Sequence, residues 1–160
     1  IMAYKNNILD ETDLRLLNVL WNSGRATLAE MGKDCGLSAP GVADRLRRLE
    51  RNGVILGYAP RIDLAAAGFG LTAFVEVTLG HPSFREAFLD LVASLPEIRE
   101  CHHVTGNSDY LLKVACSGTT HLEELISERL KGCPGVAATR TSVVLSTPRD
   151  RPDAPLPDRP

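Results

Sequence analysis

What this 160-residue chain lacks narrows its class before any motif is read. No apolar run approaches the roughly 20 residues that span a bilayer, so no membrane segment is expected. The first residues hold no basic start followed by an apolar core, the mark of an export signal, and a cytoplasmic location is expected. The four cysteines, Cys35, Cys101, Cys116 and Cys133, are scattered and make no Cys-x-x-Cys pair. That argues against a disulfide framework or a zinc ribbon and for reduced thiols. Neither sign of charge dominates: the formal net charge is −2, which argues against a generally adhesive polycation.

A nucleophile–base pair is missing too. His121 lies on an expected helix with no evident partner in the sequence, and His102 and His103 on a strand point to opposite faces, where they cannot jointly grip one metal. Cys101, His103 and Cys116 are a set that the fold could bring together, but buried cysteines beside a satisfied histidine are the commoner outcome. No catalytic residue, metal site or cofactor is expected.

What is present suffices for a folded core: 44% of residues are hydrophobic and 24% charged, neither a disordered nor a membrane composition. The positive charge is local. Residues 1–63 carry nine Lys or Arg against eight Asp or Glu, and residues 64–147 six against nine, but within 45–61 the ratio is five to one. Such a local excess is what a footprint on phosphates requires.

That excess falls in the stretch LSAPGVADRLRRLERNG, residues 37–53. Ser38 is a good helix N-cap, Pro40 is tolerated in a first turn, and Gly53 suits a helix end. Val42, Leu46 and Leu49 make one apolar stripe, and Arg45, Arg47, Arg48 and Arg51 share the remaining surface with Asp44 and Glu50. Alone, this is equally well a solvated surface helix. The preceding segment decides: Thr27 caps a short helix from Leu28 to Cys35, and Gly36-Leu37-Ser38 turns tightly into the cationic helix. Two helices joined in this way form a helix-turn-helix, whose second member enters the DNA major groove. Ser38, Ala39, Pro40 and Gly41 leave little bulk between backbone and base edges, Asp44 follows, and Arg45, Arg47 and Arg48 are placed to meet phosphate or guanine. A first helix, capped by Asp10 and running to about Trp21, supplies Leu14, Leu17, Leu20 and Trp21 to cover the other two.

After Gly53, Val54–Leu56 and Arg61–Asp63 read either as a two-stranded wing or as a plain linker. From Leu71 the period becomes two, with Leu71, Ala73, Val75, Val77 and Leu79 on one side. A helix bearing Phe84, Phe88, Leu91, Val92 and Leu95 follows, then strands over 98–105 and 110–116. A second helix bears Leu122, Leu125, Ile126 and Leu130, and a last strand spans 136–145. A shift of 38 residues lays Phe84 on Leu122, Phe88 on Ile126, Val92 on Leu130, Pro96 on Pro134 and Ile98 on Val136. Two matching halves of this kind make a ferredoxin-like βαββαβ domain, with both helices on one sheet face. The other face, carrying Phe74, then lacks a cover, and a homodimer is expected to bury it.

The expected class is thus α+β, a winged helix-turn-helix joined to a ferredoxin-like domain. Its parts are an N-terminal segment 1–8, a DNA-binding domain 9–53, a wing or linker 54–67, a βαββαβ domain 68–147 and a disordered Pro-rich stretch 148–160.

Over residues 9–147 the order of parts and three stretches resemble the Lrp/AsnC family, the leucine- and asparagine-responsive feast/famine regulators. The stretches are LDETDLRLLNVL, then GRATLAEMGKDCGLSAPGVADRLRRLERNGVILGY, and TGNSDYLLKV in the second domain. The most specific feature is GLS followed by V-x-x-R-x-x-x-L-E-x-x-G-x-I-x-G-Y. The resemblance implies a transcription regulator that binds double-stranded DNA, dimerises through the βαββαβ domain and assembles further, often into octamers. It also implies an amino acid or related small molecule bound between subunits, at a loop mapping onto Gly106, Asn107, Ser108, Asp109 and Tyr110. The residues are compatible with that role, since Asp109 suits an α-ammonium and turn N–H groups a carboxylate, although Asn-Ser-Asp also reads as an ordinary hairpin turn. Thr139, Arg140, Thr141 and Ser142 are candidates to line the same interface. Two rivals share this fold: a siroheme-decarboxylase-like enzyme, whose arginine-rich stretch is replaced here by ILGYAPR, and an assembly module without DNA binding or effector.

Overall fold

Two acids that cap each other start the first helix. Asp10 accepts the backbone N–H of Asp13 at 2.8 Å, and the Asp13 carboxylate accepts the N–H of Asp10 at 3.2 Å, a reciprocal cap that satisfies two otherwise unpaired donors. From there α1 runs over Glu11–Asn22. Thr27 and Glu30 repeat the device at the start of α2 (Leu28–Cys35), which ends on Gly36 in the left-handed conformation. Ser38 then accepts the Gly41 N–H at 3.3 Å and opens α3 (Ala39–Arg51). Leu16 of α1, Met31 of α2 and Val42 and Leu46 of α3 form the core of this unit, with Leu37 and Ile55 at its margin.

These coordinates come from a computed structural model that describes residues 9–150. The expected segment 1–8 and residues 151–160 of the Pro-rich stretch lie outside the described residues. The chain divides into two compact units, one of residues up to Pro60 and one of Arg61–Arg149.

No ladder forms over residues 54–63, so the expected two-stranded wing is absent and the linker alternative holds. The physical reason is that Ile55 packs against the helical core instead, Leu56 is 94% and Ile62 64% exposed with no surface to cover, and Pro60 contributes no donor. Tyr58 instead ties the segment back to α3, its hydroxyl donating to Glu50 at 2.8 Å.

In the second unit, β1 (Leu71–Leu79) pairs antiparallel with β3 (Tyr110–Cys116) on one side and β4 (Val136–Val143) on the other. Strand β2 (Ile98–His103) pairs with β3 at the edge. The order β2-β3-β1-β4 is that of the expected ferredoxin-like sheet. Ala73, Val75 and Val77 are fully buried against α4 (Arg85–Ser94) and the second helix, and Leu112, Val114, Phe88, Leu122, Leu125 and Leu130 complete the core. The opposite face exposes Phe74, flanked across the ladders by Lys113 and Ser142, and carries the half-buried Glu76, flanked by Leu111 and Arg140.

Two expectations about the helices need correction. Phe84 does not join the core: it ends a 3-10 turn (Pro82–Phe84) ahead of α4 and its ring lies over Gly135. The second helix is not uniform. It starts as α5 (Thr119–Glu124) and continues as a π-helical turn over Leu125–Leu130, with the Lys131 N–H donating to the Ile126 carbonyl.

Candidate nucleic-acid interface and effector loop

Helix α3 has three kinds of surface. Val42, Leu46 and Leu49 are buried. Opposite them Pro40, Asp44, Arg47 and Arg51 form an exposed stripe that starts beside Ser38 and Ala39. Arg47 pairs with Asp44 at 2.9 Å, both side chains about 70% exposed (67% and 71%), and Arg51 makes no ion pair among the described residues. A surface pair of this kind is worth little and is readily exchanged for a phosphate.

The third surface, toward α1, departs from the sequence expectation. Arg45 and Arg48 do not project freely. Arg45 donates to Asp10 at 2.5 Å and to Asp13 at 2.8 Å, and Arg48 donates to the two Asp13 oxygens at 2.7 and 2.6 Å. Asp13 is 2% exposed although it carries this charge. Buried carboxylates survive only when paired and hydrogen-bonded, and Asp13 has both forms of support. The hydrogen bond from Arg45 is the largest influence holding the Asp10 carboxyl below its ordinary 3.8, against the opposing effect of burial. Hydrogen bonds to Asp10 and then Asp13 raise Arg45 in turn. Asp10 and Asp13 are the residues missed as partners of α3. A signal existed: acids three apart at the start of one helix and arginines three apart on one flank of another, each pair sharing a helix face.

The loop between β2 and β3 brings Gly106, Asn107, Ser108 and Asp109 together. Gly106 has φ 125°, which favours glycine. Asp109 accepts the Leu79 N–H at 2.7 Å through Oδ2, and its own N–H donates to the Val77 carbonyl at 3.0 Å. The Thr78 hydroxyl reaches the Asn107 carbonyl at 3.4 Å. Asp109 therefore pins the loop to the end of β1 through its Oδ2 and its backbone N–H. Tyr110 does not face outward with the loop: its ring is 3% exposed, 4.8 Å from Phe88 and 5.1 Å from His103. Of the expected four last-strand residues, Arg140 and Ser142 flank the exposed sheet face.

His121 has partners that sequence reading did not find. Nε2 lies 3.2 Å from Glu97 and Nδ1 3.2 Å from the Ser117 hydroxyl, so the ring links the start of β2, the end of β3 and α5. His102 pairs with Glu100, whose carboxyl is lowered by that bond and then by Lys113. Burial raises all four cysteine thiols, the opposite of an activated nucleophile. Among the described residues no three His, Cys, Asp or Glu side chains are arranged to hold a metal, so Cys101, His103 and Cys116 do not form such a set.

Comparison with known proteins agrees with this architecture. A model of the winged helix-turn-helix DNA-binding family matches residues 9–55, and one of the Lrp/AsnC ligand binding domain matches residues 72–154. The leucine-responsive regulatory protein of Escherichia coli K12 is 42% identical over 139 residues, 86% of this chain and 85% of that protein. Among solved structures, a Neisseria meningitidis transcriptional regulator in complex with L-Met aligns with TM-score 0.88 and 31% identity, over 92% of this chain and 97% of that one. A feast or famine regulatory protein of M. tuberculosis complexed with L-methionine aligns with TM-score 0.85 and 35% identity, over 93% and 99%.

Proposed function

The chain belongs to the Lrp/AsnC family and is a DNA-binding transcriptional regulator, and from that premise we propose that it acts as a homodimer whose two α3 helices read successive major-groove segments. The observation that carries this reading is the exposed stripe of α3, opposite its buried Val42–Leu46–Leu49 face. Ser38, Ala39, Pro40 and Gly41 bring backbone close to base edges, with Asp44 beside them. Arg47 and Arg51 meet phosphate or guanine. Dimerisation covers the Phe74 face of the sheet and spaces the two helices for two half-sites; assembly into octamers or similar rings goes with the same family pattern. The effector is an amino acid or close relative, held at a subunit interface by the loop of Gly106, Asn107, Ser108 and Asp109. Support comes from the methionine bound by the two structural relatives and from the pinned, glycine-containing geometry of the loop. Binding there shifts the balance among assemblies and so the affinity for DNA. A cytoplasmic location and a non-enzymatic role accompany this reading, since the similar proteins carry regulatory names.

Two measurements on the full chain test it. Fluorescence anisotropy with duplexes selected from a random pool is expected to give tight, salt-dependent binding. Arg47→Ala is expected to lose about 1–3 kcal/mol of it if that arginine reads guanine. A thermal-shift screen with the twenty amino acids is expected to give at least one concentration-dependent rise, as mass action requires, and Asp109→Ala is expected to abolish it. An Asp109→Ala protein that responds like the parent removes the loop from the effector site.

A further inference from the structure

Two of the four arginines of α3 are tied to the start of α1. Asp10, Asp13, Arg45 and Arg48 make a closed, formally neutral set of two carboxylates and two guanidiniums, with contacts of 2.5 to 2.8 Å. The set joins the capped start of α1 to one flank of α3, and it lies beside the exposed stripe, not beneath it. Arg45 keeps 28% and Arg48 46% of its side chain accessible, so both guanidiniums sit near the surface but with their charge answered from within.

We propose that Asp10 and Asp13 are specificity-determining residues, which withhold Arg45 and Arg48 from the phosphate backbone so that sequence-independent binding rests on the exposed stripe alone. The inference rests on the DNA-binding reading above and deepens it. Arg45 and Arg48 each spend one terminal nitrogen on these carboxylates, so each meets a phosphate only with its remaining N–H donors and with its charge already answered. Non-specific affinity is almost wholly phosphate contact, whereas base-edge contacts are separate. Subtracting phosphate contacts therefore lowers binding to the wrong DNA more than binding to the right one, and the ratio between them rises. The same clamp makes Asp10 and Asp13 positioning residues, because it sets the rotation of α3 against α1.

Asp10→Asn is the variant that isolates the charge, because Asn caps a helix as well as Asp. With Asp10 neutral, one carboxylate faces two guanidiniums, and one positive charge per protomer becomes available. The experiment measures binding of the full chain to a labelled duplex of non-specific sequence across a salt series. Asp10→Asn is expected to bind several-fold tighter at low salt, with a slope of log affinity against log salt steeper by about 0.9 per protomer engaged. Adding Arg45→Ala to Asp10→Asn is expected to restore the parent slope, and Arg45→Ala alone is expected to leave that slope unchanged. An Asp10→Asn protein with the parent's affinity and slope overturns the proposal. So does a flatter slope for Arg45→Ala alone, which places Arg45 on phosphate already; this arm decides if Asp10→Asn does not fold, as circular dichroism will tell. If the parent shows no salt-dependent DNA binding at all, the DNA-binding reading itself fails. If the parent binds and only the Asp10 and Arg45 arms fail, that reading stands and this inference falls alone.

Discussion

Asp10 is a half-exposed carboxylate held ionised by an arginine 35 residues away in sequence. Its folded pKa lies below the ordinary 3.8, so it binds fewer protons folded than unfolded and stabilises the fold above the unfolded value. That stability is lost as pH falls through the depressed folded pKa. The difference in urea stability between parent and Asp10→Asn is accordingly expected to be constant above about pH 4, from the ordinary value of 3.8, and to shrink below it. A difference that grows on acidification contradicts the pairing. Asp13 is a stricter case, because it is buried and serves both arginines. Asp13→Ala is expected to cost on the order of 2 kcal/mol in chemical denaturation, less than the about 3–5 for a fully buried pair because Arg48 remains half exposed. The caps of α1, α2 and α3 were legible at this scale, since N-capping depends on neighbours three residues apart. The arginine partners were not, because they join residues 32 and 35 apart.

At the scale of elements, the helix-turn-helix depends on one close approach. A Cβ at Gly32 of α2 would run into the carbonyl of Leu37, the residue that enters α3, and backbone cannot yield as a flexible side-chain end does. Gly32→Ala is expected to destabilise the N-terminal unit by roughly 1–3 kcal/mol, the usual range for overpacking, read from the helical signal on heating. An unchanged melting temperature would show that the turn shifts freely. The segment after α3 teaches the opposite lesson. Its apolar and turn residues suggested a wing, yet strand pairing needs surface to bury, and none is offered to Leu56 or Ile62. The second βαβ helix was legible in place but not in geometry. Leu125 and Leu130 are both buried five residues apart, a spacing that a π turn brings to one face and a regular α-helix does not. The repeat at a shift of 38 residues therefore matches the topology of the two halves, not their packing residue by residue.

For the whole molecule the open question posed by the fold is the sheet face of Phe74, Glu76, Leu111, Lys113 and Arg140. Helices cover only the other face, and an uncovered sheet face normally seeks a second layer. Phe74→Arg is expected to lower the solution mass of the parent by light scattering, by half or more, and to weaken binding to a two-half-site duplex, while a single half-site is bound as before. A variant with the parent's mass moves the dimer interface elsewhere.

Local chemistry determined most of the elements: caps and stop residues set α1, α2 and α3, and the period of two set β1, because these signals lie within a few residues of one another. The βαββαβ order and the resemblance carried by the GLS-to-GY spacing followed from the same linear pattern. Tertiary structure alone decided which arginines of α3 are tied to α1, because that depends on where α1 presents Asp10 and Asp13. It alone turned Tyr110 into the core and committed Asp109 to the Leu79 N–H, because both outcomes depend on strand register across β1 and β3, which no single stretch of sequence specifies.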